Sequence, residues 1–390
     1  MDNNNHISAN SFDSLPEDFT FGVELEFSGG MTVDQTVEVL NYLKSINLID
    51  EGWTVHYDNS IVDENGLGAE IVSPPLRDNE HTKREIDIIT KVIKSYGGVM
   101  NDKTGGHIHF GLQCLGDNVN EIKNFLKLYL IFEPLLYKLS TGDLDSVRCC
   151  CREYAIPLQN RLVNVVDRDA KSLLELVSVL MCNVGANPTH YGENRYYGLN
   201  IQRLVEGLRN IPDDMSLDVA LEKLFNGEEV IGKDGKKISP TIEFRFRNGS
   251  SDSDEIISAA RMLGGMMVSA KNMNEDTKAL VQSMYRNAKQ RKPVAFGVVT
   301  RANREDPRYE GLSDEEILDL KFINSIYGNG KLDYNTFKAF MKIINPNLSE
   351  FEIKKNFNII KDKLKPTKFV KDDNTLVNED DHSYSLAMAA

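Results

Sequence analysis

Hydrophobic and polar residues alternate along Phe21-Gly22-Val23-Glu24-Leu25-Glu26-Phe27, the pattern of a strand whose successive side chains point to opposite faces. Phe21, Val23, Leu25 and Phe27 turn to a core, which leaves Glu24 and Glu26 side by side on the other face. Two carboxylates so placed repel each other unless a cation or an arginine lies between them, so the pair invites a divalent metal. The design recurs in His107-Ile108-His109-Phe110, with two imidazoles on one face and two apolar groups on the other. It recurs again in Thr241-Ile242-Glu243-Phe244-Arg245-Phe246-Arg247, where Glu243, Arg245 and Arg247 oppose Ile242, Phe244 and Phe246. Paired in one antiparallel sheet, the three segments pack their apolar face on helices and gather carboxylates, imidazoles and guanidinium groups into a single floor.

Helical spacing of apolar residues predicts helices at Val33, Val37, Leu40, Leu43 and Ile46, and at Ile86, Ile89, Val92 and Ile93, the second closed by Gly97-Gly98. Longer apolar stretches predict helices over 119–139, 173–182 and 253–270. Trp53-Thr54-Val55-His56-Tyr57-Asp58 alternates, and Glu70-Ile71-Val72 is stopped by Pro74-Pro75, which sets Asp58 and Glu70 near strand ends. Residues 232–237 read as a hairpin turn into the Glu243 strand. Glu133, beside Pro134 in an apolar helix, needs a partner, for which Arg148 and Arg152 are candidates; a structural ion pair is the plainer reading and a substrate contact the other. The expected organisation is a flexible leader over 1–19, a main domain over 20–291, a polar helical appendage over 292–372 and a flexible tail over 373–390. Gly328-Asn329-Gly330-Lys331-Leu332-Asp333 has the rhythm of a calcium loop, but Ser325, Tyr327 and Thr336 fall where ligands are required, so calcium is rejected there.

Composition narrows the function. The 390 residues are 41% hydrophobic, enough for a large core. Fifty-nine acidic against forty-five basic side chains leave a formal charge of -14, which opposes binding to nucleic acid or anionic membranes. A polar amino terminus and the lack of a run of about 20 apolar residues point to a cytoplasmic protein. Cys114, Cys149, Cys150, Cys151 and Cys182 include a consecutive triplet, a poor disulfide framework, and read as reduced thiols.

The sequence contains no Gly-x-x-x-x-Gly-Lys-Ser/Thr, Gly-x-Gly-x-x-Gly after a strand, Gly-x-Ser-x-Gly or His-Glu-x-x-His. The floor is therefore the candidate site. Alone, Glu-x-Glu is most often a solvated strand face, His-x-His a pair of rings bonded to backbone carbonyls, and Arg-x-Arg beside a glutamate a surface ladder. Three segments with charged groups on one face and aromatics on the other outweigh those readings together. The inventory of Glu24, Glu26, Glu70, His107, His109 and Glu243 is oxygen-rich, which favours magnesium or manganese over structural zinc. Arg245 and Arg247 are then the natural clamp for phosphate oxygens.

An ordered set of segments resembles the amidoligases, a branch of the carboxylate-amine ligases that includes glutamine synthetase and glutamate-cysteine ligase. The set comprises Gly22 to Phe27, Trp53 to Ser60, Glu70 to Pro75, Gly106 to His109, Arg195-Tyr196-Tyr197-Gly198-Leu199-Asn200, and Thr241 to Arg245. The resemblance implies an α+β fold with a curved antiparallel sheet, a glutamine-synthetase-like half-barrel flanked by helices. It further implies ATP with magnesium ions, phosphorylation of a substrate carboxylate and attack by an amine on the acyl phosphate. Carried over by position, Glu24, Glu26, Glu70, His107 or His109, and Glu243 match metal ligands, and Arg245 matches the phosphate-stabilising arginine. Glu243, Glu70 and Arg247 join Arg245 as the expected catalytic group, and Arg195 and Asn200 match a loop near substrate or nucleotide. Asn59 stands where the family usually has glycine, and Gly105 where cysteine is common; neither change removes a charge. The expected substrates are a carboxylate and an amine on a peptide, protein or amino acid. A metal-dependent phosphotransferase or hydrolase, and a non-catalytic nucleotide- or peptide-binding protein, are the alternatives.

Overall fold

A computed structural model describes residues 6–101, 103–141, 155–184, 197–292, 299–327 and 332–361. The alternating segments form one open sheet of six strands: Phe21–Ser28 (β1), Thr54–His56 (β2), Gly68–Val72 (β3), Gly106–Gly111 (β4), Leu199–Asn200 (β5) and Thr241–Phe244 (β6). Their order is β2-β3-β1-β4-β6-β5, and every neighbouring pair is antiparallel. The two-glutamate strand thus lies centrally, between the strand of Glu70 and the strand of the histidines.

Helices surround the sheet in chain order: Val33–Ser45 (α1), Glu80–Ser95 (α2), Val119–Thr141 (α3), Arg161–Val166 (α4), Leu173–Val184 (α5), Gln202–Arg209 (α6), Leu217–Phe225 (α7), Ser253–Lys271 (α8) and Glu275–Ala288 (α9). After them come Arg301–Arg304 (α10), Asp314–Tyr327 (α11), Tyr334–Ile344 (α12) and Glu350–Lys361 (α13). Local chemistry fixes their ends. Thr32 and Gln35 form a reciprocal capping box on α1, and the Asn79 side chain accepts from Thr82 N to start α2. Gly97, at φ 86, supplies the left-handed residue that stops α2. The expected hairpin forms, with an antiparallel bridge between Ile231 and Lys237.

The underside of the sheet is aromatic. Phe110 meets Phe244 edge to face at 6.1 Å, and Tyr137 of α3 stacks on Phe246 at 4.9 Å. A Cβ on Gly264 of α8 would come within 3.1 Å of the Phe110 ring, so glycine there lets that helix approach the sheet closely. Among the described residues, no helix is long and apolar enough to cross a membrane.

Two expectations about organisation are corrected. Within the described part of the expected leader, Ile7, Ala9, Phe12, Leu15 and Phe19 are buried in the main core. The Arg261 guanidinium and Asp78 pin this segment, donating to Ala9 O at 3.2 Å and accepting from Leu15 N at 2.8 Å. Nor is the stretch after 292 separate from the core. Phe337, Phe340 and Met341 of α12 join the same cluster, Phe340 lies 5.0 Å from Phe132 of α3, and Ser269 Oγ donates to Ile343 O at 2.8 Å. Only Tyr309, Ile317 and Leu320 gather in a small cluster of their own among the described residues. Asp333 caps α12 through Thr336 N, while 328–331 and the expected tail lie outside the described residues.

Candidate active site

Strand register builds the floor. Glu26 pairs opposite Glu70, Glu24 opposite His107, His109 opposite Glu243, and Glu243 opposite Asn200. Directly opposed residues project to the same face, so four carboxylates and two imidazoles converge above the sheet. Glu24, Glu26, His107 and Glu243 are buried, and Glu70 is half-buried at one side.

His107 is the hub. Its Nδ1 lies 2.7 Å from Glu24 Oε2 and 3.4 Å from Glu243 Oε1, and its Nε2 lies 3.6 Å from Glu26 Oε1. His109 Nε2 is 2.8 Å from Glu24 Oε1, within ion-pair reach but off the direction of a hydrogen bond, and its Nδ1 lies 3.2 Å from Thr241 Oγ1. Arg245 binds Glu243 Oε1 in a short ion pair, and Asn200 Nδ2 donates to Glu243 Oε2 at 2.6 Å. Glu26 is held from the other side by the Gly105 N–H.

These contacts set the charges. Burial works against ionisation of Glu24, but the hydrogen bond with His107 and the close imidazole of His109 outweigh it and hold that carboxyl well below the ordinary range. Glu243 behaves alike: burial opposes its charge, and Arg245 with His109 brings its pKa down. Burial favours a neutral His109 ring, yet Glu243 and Glu24 overcome this and raise it. Glu70 goes the other way, pushed up to about 9 by burial and by the charges of Glu24, Glu26 and Asp58. Among the described residues it is the floor carboxyl without an ion pair. Glu24, His107 and Glu243 form one group, and Glu26, Glu70 and His107 another, whose ligand atoms lie within 4.8 Å of one another. Adjacent, oxygen-rich and sharing His107, these groups fit hard divalent cations such as magnesium or manganese.

Arg247 is not on the floor. From Ile108 opposite Phe244, three residues back along β4 reach Gly105, but its partner, Asn248, lies four residues on from Phe244. The extra residue is accommodated as in a β-bulge, and the alternation of faces shifts with it. Gly106, an underside residue, donates its N–H to Arg247 O at 3.1 Å, and a Cβ on Gly106 would lie 3.6 Å from Arg247 Nη1. The buried guanidinium therefore sits beneath the sheet, 3.7 Å from Glu255 of α8. Its expected catalytic place is corrected to a structural one.

Asn200 is fully engaged as a positioning residue, since its Oδ1 also accepts from Gln202 N at 2.9 Å. Arg195, expected beside it, lies outside the described residues, as do Arg148, Arg152 and the cysteine triplet. Glu133 is satisfied instead by the N–H groups of Leu158 at 2.6 Å and Gln159 at 2.9 Å. Cys114 and Cys182 are free thiols; burial pushes the Cys114 thiol up to about 12. Sequence reasoning missed Thr241 as the orienter of His109, and His56, which pairs opposite Glu70 and extends the floor row outward. The alternation of Trp53-Thr54-Val55-His56 carried the signal for the latter.

Residues 17–208 match the model of a family described as "Putative amidoligase enzyme". The match takes in Glu24, Glu26, Glu70, His107, His109 and Asn200 but stops short of Glu243 and Arg245, which only the fold brings to the same floor. No curated protein matches the chain.

Proposed function

Through residues 17–208 the chain belongs to the amidoligase family, and from that premise we propose that it joins a carboxylate to an amine at the expense of ATP. The observation that carries the reading is the convergence of Glu24, Glu26, Glu70, Glu243, His107 and His109 with Arg245 on one face of the sheet. In this reading the sheet is the half-barrel of a glutamine-synthetase-like ligase. Glu24, Glu26, Glu70, Glu243 and His107 would hold magnesium or manganese, with His109 beside them. When bound, the cations supply neutralisation of phosphate charge, the main requirement of phosphoryl transfer.

The chain's own groups do the positioning. An oxygen of the substrate carboxylate attacks the γ-phosphorus of ATP, ADP leaves, and the amine nitrogen then displaces phosphate from the acyl carbon, giving an amide and losing one proton. Arg245, braced by Glu243, offers a planar guanidinium to the phosphoryl oxygens as their charge changes. Asn200 fixes the far oxygen of Glu243, which keeps the near one turned to Arg245 and His107. Buried His107, Glu24, Glu26 and Glu243 keep bulk water away from an acyl phosphate that would otherwise hydrolyse. The segment that carries Arg195 and Asn200 in the sequence is the one the family resemblance assigns to nucleotide or substrate, the substrate being a peptide, a protein or an amino acid.

The test is mass spectrometry and ADP release with candidate peptides and amines, ATP and magnesium. The reading expects ADP only when both carboxylate and amine are present, with a product lighter by one water than their sum. ADP released without an amine, or a phosphorylated product that accumulates, would mark a hydrolase or phosphotransferase instead.

A further inference from the structure

Away from the floor, Asp50, His81 and Glu85 bring ligand atoms within 4.8 Å of one another. We propose that these three side chains form a second metal site, of zinc class, that staples α2 to the chain entering β2. His81 and Glu85 are one turn apart and share a helix face. Asp50 comes from the connection between α1 and β2. His81 Nε2 lies 3.3 Å from Asp50 Oδ1 and 3.8 Å from Glu85 Oε1. Ligands about 2.0–2.1 Å from a tetrahedral zinc lie about 3.3 Å from each other, a spacing that His81 and Asp50 already have and that Glu85 reaches by moving closer.

The plainer reading is a protonated histidine paired with two carboxylates, and Glu85 argues against it. Its side chain is 1% exposed, and although Oε1 accepts from Asp50 N, Oε2 is buried without a hydrogen-bond partner. A buried, half-satisfied carboxylate is costly. One Nε2–H cannot serve both Asp50 and Glu85, whereas one cation can bond all three side chains at once, and a Glu85 carboxylate that turned both oxygens to it would bring the unpartnered Oε2 to the same ion. His81 and Asp50 are 60% and 62% exposed, which leaves an entry path and room for water as a fourth ligand. One imidazole with two carboxylates is a donor set that zinc or manganese takes; each floor group offers the same set, so the two sites are told apart by place, with the floor variant as the control. Asp50 and His81 stand 31 residues apart, and the segment between them carries β2, β3 and Glu70. An ion here would fix both ends of the segment that presents one wall of the floor.

The test titrates the full-length protein with zinc, and with cobalt(II) as a spectroscopic probe, in excess magnesium. Three proteins are compared: wild type, His81→Ala, and the floor variant Glu24→Gln with Glu26→Gln. Circular dichroism checks that each is folded; His81 is exposed, and Glu85→Gln serves as a second site variant that keeps an acceptor for Asp50 N. We expect one tight equivalent in the wild type and in the floor variant. Its affinity should fall at least about 100-fold in His81→Ala and in Glu85→Gln, beyond the effect of losing an outer-shell partner. Wild-type-like zinc affinity in His81→Ala overturns the inference, whatever the floor variant does.

Discussion

Glu133 in the middle of α3 and Glu24 on β1 are both shielded from water, yet the protein satisfies them differently. Glu133 meets two backbone N–H groups from one short stretch of chain, and burial still pushes its carboxyl up to about 7 despite those bonds. Glu24 meets two imidazoles and shares its floor with three more carboxylates. Fixed backbone donors complete Glu133 and tie α3 to the chain at Leu158, which is a structural task. The floor carboxylates face one another, and Glu70 carries the resulting conflict. A buried acid becomes a functional candidate when its neighbours leave its charge unsettled, not merely because it is buried.

The largest effect that sharpens this comparison is expected at Arg245. Arg245→Lys keeps the charge but loses the planar fork, so turnover should fall by about two to four orders of magnitude in a steady-state ADP assay. Near-normal ADP release would remove Arg245 from the chemistry. Arg247→Lys, two residues along, is the matching control for the structural side. It should cost about 1–3 kcal/mol in denaturant unfolding, because a buried charged contact is loosened, while the folded fraction turns over normally. Glu133→Gln should also cost about 1–3 kcal/mol, since an amide NH2 replaces one acceptor facing an N–H. A Glu133→Gln protein of normal stability but impaired turnover would place Glu133 with the floor after all.

A smaller effect is expected in the pH profile. Glu70 and Glu133 both have folded pKa values above the ordinary 4.5, so each contributes stability that is present below that value and lost as pH rises through about 9 and about 7, respectively. His109, raised above 6.5, acts in the same direction. Melting temperature without magnesium should therefore decline between about pH 5 and pH 8, and Glu70→Gln should flatten the decline. An identical slope in that variant would detach Glu70 from the conflict.

Much of the floor was legible in the sequence because period-two alternation dictates faces, and β1 and β4 keep it without interruption. The same rule failed at Arg247, where one extra residue in the pairing with β4 reverses the face. Such a slip depends on the partner strand and leaves no mark in local alternation. Ile7, Phe12, Leu15 and Phe19 were visible as apolar residues, but Pro16 interrupts the helical spacing of the last three and Ile7 falls outside it, so their docking on α8 was hidden. The helices after 292 looked polar because only one face of α12 is apolar, and that face completes the core. His81 and Glu85 were readable as a one-turn pair; Asp50 reaches them only through the fold.

The central claim is that Glu24, Glu26, Glu70 and Glu243 converge to hold a cation. The most direct measurement is the melting temperature with and without magnesium, at matched ionic strength, for the wild type and for Glu24→Gln combined with Glu26→Gln. An ion that binds only the folded state at a hundredfold excess over Kd stabilises by about 2.7 kcal/mol, a rise of a few degrees for a chain of this size. Replacing both glutamates removes the repulsion and the ligands together, so the variant should be at least as stable as the magnesium-free wild type and indifferent to magnesium. A magnesium shift of unchanged size in that variant would contradict the account.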